Sequence, residues 1–191
     1  MEFVDKNTIK LDKTLNSIDK FTISFIKILE KHMDYVIVSG YVAILLGRSR
    51  STEDVDIIIP KIDKDKLKLF YEELLKNNYW CLNSSDLEDM WDLLISKHSI
   101  RFAIEPEVSP NFELKFSKDS YDQIALKNPV TIIINDEEKL KTSFLELQIA
   151  FKEEVLKSNK DMEDAKHLRL VAEGHLNEVL INDYKKLLRG R

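Results

Sequence analysis

The chain has one cysteine, Cys81, in 191 residues. An intramolecular disulfide and a cysteine-based zinc site are therefore excluded. Glycine and proline number four each. No Gly/Ser/Pro-rich stretch divides the chain, which argues against long disordered linkers. The four histidines, His32, His98, His167 and His175, show no metal-ligand spacing. No run approaches the ~20 apolar residues of a membrane span, and the opening MEFVDKNTIKLDKT lacks an apolar targeting core. Positive charge is also short. The net charge of −5 gives no global field that would draw the chain to nucleic acid or an anionic membrane. These absences predict a cytoplasmic protein without a membrane partner.

What is present is enough for one medium domain. Hydrophobic residues make up 43% and charged residues 33%, so a sizeable core can sit beneath a solvated surface. LDKTLNSIDKFTISFIKILEKH aligns Leu11, Leu15, Ile18, Phe21, Phe25, Ile28 and Leu29 on one stripe and predicts a long amphipathic helix. YVIVS (35–39) reads as a short strand with Gly40 at its end, and YVAILLG as a brief helix stopped by Gly47. VDIIIP (55–60) predicts a strand covered on both faces. DKLKLFYEELLKNN is helical, YWCL is a strand or its lead-in, and SSDLEDMWDLLISKH is a helix capped by Ser84 or Ser85. IRFAIE and NFELKFS alternate with period two and predict a hairpin. SYDQIALKN reads as a short helix and VTIIIN (130–135) as a strand. From Ser143 onward SFLELQIAFKEEVLK, KDMEDAKHLRLVAE and LNEVLINDYKKLLRG predict three packed helices. The fold class is α/β (α+β): a mixed sheet flanked by helices over 1–135, with a helical part over 136–191 packed on it.

One segment of this plan raises a chemical question. In SGYVAILLGRSRSTEDVDIIIP, Asp54 and Asp56 open a buried strand with one residue between them. Residues two apart on a strand project from the same face, and two carboxylates so placed repel unless a cation lies between them. A hard divalent ion such as Mg²⁺ is the usual remedy, because it takes oxygen ligands and keeps waters for substrate phosphates. Without one, the pair is a solvated strand entrance. The preceding strand ends in Ser39-Gly40 before a short helix, and glycine at such a turn lets backbone approach a phosphate.

The order strand, glycine turn, short helix, then Asp-x-Asp opening an apolar strand resembles the nucleotidyltransferase fold of the DNA polymerase β superfamily. VSGYVAILLGRSRSTEDVDIII is most similar to the branch containing the AbiEii-type abortive-infection toxins and related prokaryotic nucleotidyltransferases. Arg50, Thr52, Asp54 and Asp56 match that branch's Arg-x-Thr-x-Asp-hydrophobic-Asp. Lys152, Lys160, Asp161 and Asp164 match its later lysine and Lys-Asp-x-x-Asp. The resemblance implies transfer of a nucleoside monophosphate from an NTP to an acceptor (RNA, protein or small molecule) with Mg²⁺ or Mn²⁺, and an antitoxin partner if the chain is a toxin. It also implies a third carboxylate on a later strand. Glu113 in NFELKFS is the first candidate, ahead of Glu105 and Glu107, so that Asp54, Asp56 and Glu113 form the catalytic and metal-binding set. Ser39, Gly40, Tyr41, Arg48, Arg50, Thr52, Lys152, Lys160 and Asp161 fall to the nucleotide. Tyr41 departs from the family pattern of Gly or Ser after the first glycine, so its ring narrows the nucleotide site or stacks on a base.

Each feature also has a structural reading. Glu113 and Lys115 can decorate a solvated sheet face. Ser158 or Asn159 can cap a helix whose first turns hold Asp161, Glu163 and Asp164. Trp80 and Trp91 read as core or interface anchors, Cys81 as a small buried hydrophobe, and His167 as a packing or surface residue. A catalytically inactive member, kept as a binding or regulatory module, is the alternative function.

Overall fold

A computed structural model describes residues 1–189. The chain forms one nine-stranded mixed sheet with helices on both faces. The strands are β1 (Glu2–Asp5), β2 (Thr8–Leu11), β3 (Val36–Val38), β4 (Asp54–Ile59), β5 (Tyr79–Cys81), β6 (Ile100–Ile104), β7 (Asn111–Phe116), β8 (Pro129–Ile134) and β9 (Glu138–Ser143). Their spatial order is β1-β2-β8-β9-β3-β4-β7-β6-β5. Pairs β2/β8, β3/β9 and β4/β7 run parallel, and the remaining neighbours antiparallel. The helices are α1 (Ser17–Leu29), α2 (Gly40–Leu45), α3 (Lys64–Lys76), α4 (Leu87–Ile95), α5 (Ser120–Lys127), α6 (Leu145–Phe151), α7 (Asn159–Val171) and α8 (Glu178–Arg189). None of the described helices is long and apolar enough to cross a membrane.

The centre of the sheet explains its sequence. Every residue of β3 is buried, as expected for strands covered on both faces. Along β7 the burial alternates, with Phe112, Leu114 and Phe116 buried and Asn111, Glu113 and Lys115 partly exposed. Phe112 stacks on Phe21 and Phe25 of α1 at centroid distances of 4.2 and 3.9 Å. Phe25 in turn meets Phe70 of α3 edge-on at 6.0 Å. This aromatic layer fixes one face of β7 to the core, which leaves the opposite, polar face to carry a site. The β6–β7 hairpin is as the alternation predicts.

Three expectations are corrected. Leu11 does not belong to the first helix; it ends β2, whose burial alternates with Ile9 and Leu11 inward. The helix starts after Asn16, which accepts from the Asp19 backbone N–H at 2.8 Å while Asp19 accepts from the Asn16 N–H at 3.1 Å. That reciprocal pair is a capping box, and it outweighs the apparent continuation of the stripe into Leu11 and Leu15. Helix α4 is capped by Asp86; Ser84 instead accepts from the Asp86 N–H and donates to Asp89. Finally, the sheet continues past Asn135. Asn135 and Asp136 both take positive φ, 53° and 59°, and turn the chain into β9, which pairs with β8 along its full length. Strand β9 then lies beside β3 at the middle of the sheet.

After Ser143 the three expected helices form, with one addition. Helix α6 runs into a π-helical turn at Lys152–Leu156, closed by Lys157 in the left-handed region. Ser158 caps α7 by accepting from the Asp161 N–H. The third helix is described to Arg189, and the Gly190 in which its sequence pattern ends lies outside the described residues. Helix α7 packs on α2, where His167 bonds the Leu46 carbonyl at 3.1 Å. That contact satisfies a carbonyl at the α2 C-terminus and brings the second sequence motif against the first.

Candidate functional site

The site is built where β4 and β7 run side by side. Their parallel register sets Asp54 opposite Asn111 and Asp56 opposite Glu113. Asp54, Asp56, Asn111, Glu113 and Lys115 consequently share the polar face. Asp54 accepts from Thr52 Oγ1 at its own carbonyl (3.0 Å) and at Oδ1 (3.1 Å). Thr52 thus orients the first acid. Asp56 is partly buried, and its pKa is pushed up to about 6. Burial is the main cause and the negative charge of Asp54 the next; Glu113 adds to it, while a hydrogen bond from Ser39 and the charge of Lys115 act against it. The acids therefore sit with an excess of negative charge.

Glu113 is on the expected face but is already engaged. One carboxylate oxygen accepts from Ser99 Oγ, and the other lies 3.6 Å from an Arg101 guanidinium nitrogen. Among the described residues no three His, Cys, Asp or Glu side chains stand in metal-holding geometry. The expected three-carboxylate platform is not drawn together here, because Ser99 and Arg101 on the β6 side compete for the third member. The donor chemistry of the aspartate pair still suits a hard divalent cation: carboxylate oxygens alone, mutually repelling, with one pKa raised. Glu105 and Glu107, the weaker candidates for a third acid, lie on the β6–β7 connection and outside both strands.

Beside the acids, four basic positions named from the sequence cluster around the start of α7. Asp164, fully buried, accepts from Arg48 Nη1, from Arg50 Nη1 at 2.7 Å and from Lys152 Nζ at 2.9 Å. Lys152 is itself 0% exposed, projecting from the start of the π-helical turn, and a second carboxylate, Asp161, lies 3.6 Å from its ammonium. Arg48 also donates to the Lys160 carbonyl at 2.9 Å, while the Lys160 side chain is exposed. Burial brings the Lys152 pKa down to about 8 despite the opposing charge of Asp161, and Arg50 adds to the lowering. Arg50 is lowered as well, by burial first and Arg48 second. Asp161 joins the α7 cap through Ser158, as its structural reading has it, and also pairs with Lys152.

The turn between β3 and α2 closes the site. Gly40 has an ordinary φ; what it supplies is space. A Cβ there would lie 2.8 Å and 3.0 Å from the two terminal nitrogens of Arg50, so the glycine lets the guanidinium lie on the backbone. Ser39 takes φ 66° and ψ −137°, a conformation costing a non-glycine residue about 1–3 kcal/mol. Its hydroxyl does not cap α2. Tyr41 overturns both expectations for its ring. It is 1% exposed and its hydroxyl donates to Asp19 Oδ1 at 2.9 Å, so it neither narrows a nucleotide site nor stacks on a base.

Two residues escaped a role in the sequence reading. Asp164 was matched to a motif without one; the signal was an acid in register with Ala165, Leu168 and Ala172 on the inward stripe of α7. Asp19, fully buried under Tyr41 and salt-bridged to Lys13 at 2.9 Å, was announced by its capping-box spacing from Asn16.

No protein-family model and no curated protein sequence matches the chain. Solved structures match it in fold. An antigenic nucleotidyltransferase-like protein from Paracoccidioides brasiliensis is similar with a TM-score of 0.52 at 20% identity, over 93% of this chain and 90% of that one. ANT(2")-Ia, in complex with adenylyl-2"-tobramycin, is similar with a TM-score of 0.52 at 15% identity, over 88% of this chain and 99% of that one. Identities this low speak to architecture alone, and the architecture is nucleotidyltransferase-like.

Proposed function

We propose that the chain is a nucleotidyltransferase that moves a nucleoside monophosphate from an NTP to an acceptor, using Mg²⁺ or Mn²⁺. The observation that carries this reading is the juxtaposition of an acid pair in excess negative charge, Asp54 and Asp56, with the partly buried Arg48 and Arg50 and the buried Lys152, in a nucleotidyltransferase-like fold.

Asp54 and Asp56 would hold the divalent ion, with Glu113 the third carboxylate of the face. When bound, such an ion lowers the pKa of an attacking hydroxyl and offsets charge on leaving pyrophosphate. The protein's own groups do the rest. Thr52 orients the first aspartate. Arg48 and Arg50 offer forked donors to phosphate oxygens and Lys152 a point charge. Arg48, Arg50 and Lys152 already meet Asp164, with Asp161 beside Lys152, so a phosphate here would meet donors that the protein holds in place. Gly40 keeps the Arg50 guanidinium against the turn, and Lys160, exposed at the start of α7, reaches solvent-side phosphate.

The acceptor is an RNA, a protein or a small molecule; the adenylyl-2"-tobramycin in the ANT(2")-Ia complex gives the small-molecule class a precedent. The net charge of −5 disfavours RNA, whose affinity rests on phosphate contacts. Resemblance to the AbiEii-type branch supports a toxin with an antitoxin partner. Growth arrest on expression that Asp56→Ala relieves is the expected result, and arrest that persists in that variant rejects the toxin reading.

Isothermal titration with each of ATP, CTP, GTP and UTP, with and without Mg²⁺, tests the main reading. We expect one NTP to bind in a metal-dependent way that Asp54→Ala with Asp56→Ala abolishes. Binding by none rejects it. The engagement of Glu113 by Ser99 and Arg101 favours a second reading, a non-catalytic nucleotide-binding module. That module would bind the NTP and release no pyrophosphate with any acceptor.

A further inference from the structure

The acid pair has cations on both sides. Toward β3 lie Arg48, Arg50 and Lys152, all engaged with Asp164. On the other side, past β7, lies Arg101 of β6, which the antiparallel ladder sets directly opposite Glu113 and therefore on the same face. Its backbone is fixed, since the N–H donates to Asn83 Oδ1 at 2.6 Å and the carbonyl accepts from the Leu82 N–H at 2.8 Å. Its side chain is uncommitted. It is 51% exposed, and its ion-pair partner Glu113 stands 3.6 Å away, beyond hydrogen-bond length. Among the described residues the guanidinium has no hydrogen-bond partner, so five N–H donors stand beside the acids without a protein acceptor. Helices α3 and α4 cover the apolar face of these strands, through Phe70 against Phe102 and Trp91 against Phe116. The Arg101 face is left open. Trp80, opposite Ala103 in the β5–β6 ladder and held by its indole N–H to the Glu107 carbonyl at 2.9 Å, borders that opening.

We infer that the acceptor is a small hydroxyl compound bearing an oxyanion, a carboxylate or a phosphate, and that Arg101 binds that oxyanion. The inference rests on the nucleotidyl-transfer reading and names the acceptor class for it. In that reaction the acceptor hydroxyl oxygen bonds the α-phosphorus of the NTP and the bond from that phosphorus to the bridging oxygen breaks. Pyrophosphate leaves with the electron pair, and the hydroxyl proton goes to solvent. Attacking and leaving oxygens stand in line, so the acceptor approaches from the side of the acids that the triphosphate does not occupy. With the triphosphate on Arg48, Arg50 and Lys152, that side is β7 and β6. A planar fork of donors matches a carboxylate or a phosphate edge to edge. Lys115, the other cation of this face, lies 3.7 Å from buried Asp122. Arg101 and Lys115 are too few for the successive phosphates of an RNA. A single oxyanion on a small molecule is what one guanidinium fits.

The test uses the full chain with Mg²⁺ and the NTP that it binds, and glycerol, glycerate and glycerol phosphate as acceptor probes. All three offer a hydroxyl, and glycerol alone lacks an oxyanion. The unaltered chain is expected to use glycerate or glycerol phosphate with a kcat/KM at least about tenfold above that for glycerol, the factor a hydrogen bond to a charged group is worth. Whichever is favoured tells carboxylate from phosphate. Arg101→Ala is expected to raise the KM for that probe about tenfold to a hundredfold while the KM for the NTP stays within about twofold. Arg101→Lys, which keeps the charge and loses the fork, should fall between. A merely structural role would not raise one KM and spare the other. Glycerol used as well as both charged probes overturns the inference, as does an unchanged acceptor KM in Arg101→Ala. A rise in the KM for the NTP would make Arg101 a nucleotide contact and overturns it too. A chain that binds no NTP overturns the functional reading and this inference together; one that transfers to glycerol regardless of charge overturns this inference alone, and so does one that binds NTP and transfers to neither charged probe.

Discussion

The candidate site has two halves that treat charge in opposite ways. On the β4–β7 face, Asp54 and Asp56 stand together with Glu113 opposite, and the pKa of Asp56 is pushed up to about 6. Around the start of α7, Arg48, Arg50 and Lys152 converge on one buried carboxylate that accepts from all three. The acid half is in excess of one sign and gains from any added cation. The cation half is internally satisfied, and removing its central member leaves three charges without their partner. On the function proposed above, the first half would hold a ligand at the expense of stability, while the second supports the fold. Mutations should therefore move stability in opposite directions.

The largest effect belongs to chemistry. Replacing Asp54 with Ala is expected to reduce nucleotidyl transfer by about a thousandfold or more, ~4 kcal/mol of transition-state stabilisation, with the melting temperature unchanged or raised. Steady-state kinetics beside calorimetry reads both. A loss of activity explained by unfolding would break the contrast.

Asp164→Ala is expected to destabilise by about 3–5 kcal/mol, the cost of stranding buried charges, measured by urea denaturation. Asp164→Asn keeps the volume and fewer of the interactions, and should fall between the two. If either is as stable as the unaltered chain, the cation half is not the support described here.

Asp56→Asn should go the other way. An unfolded aspartate titrates near 3.8 and this one near 6. The native state therefore binds the extra proton between those values, and stability falls as pH rises through them. At pH 7 the ionised group costs about 3 kcal/mol, which the amide removes. A higher melting temperature at pH 7, with the gain shrinking toward pH 4, is the expected outcome.

The two halves also set a pH window for transfer. Asp56 must be ionised and Lys152 protonated, so the rate should rise through about pH 6 and fall through about pH 8. The falling limb should move in Lys152→Arg. The smallest effect is expected for Gly40→Ala. Its Cβ would meet the Arg50 guanidinium at 2.8–3.1 Å, loosening Arg50 from Asp164 for about 1 kcal/mol and raising the KM for the NTP a few-fold.

Local chemistry was readable in the sequence wherever one element carried it. The alternation of NFELKFS gave β7 its polar and apolar faces, and the Asp-x-Asp spacing gave the acids a common face before any partner strand was known. The region before Ser17 misled because Leu11 and Leu15 happen to extend a helical spacing; the capping box at Asn16 and Asp19 was the competing signal. Strand β9 was missed because GluLysLeuLysThrSer carries its burial in only Leu140, Thr142 and Ser143, a pattern too short and too charged to separate from a loop.

The sequence by itself determined which residues could carry the chemistry: period-two and capping patterns are local, and they place Asp54, Asp56 and Glu113 on strands and Asp161 on the first turn of a helix. Tertiary structure alone decided what those residues meet. Tyr41 turns inward to Asp19, Glu113 is shared with Ser99 and Arg101, and Asp164 gathers cations that lie 116, 114 and 12 positions away in the chain. The reason is that an ion pair depends on distance in space. Only the packing of α7 against α2 and the π-helical turn brings those charges together, and no local pattern encodes that closure.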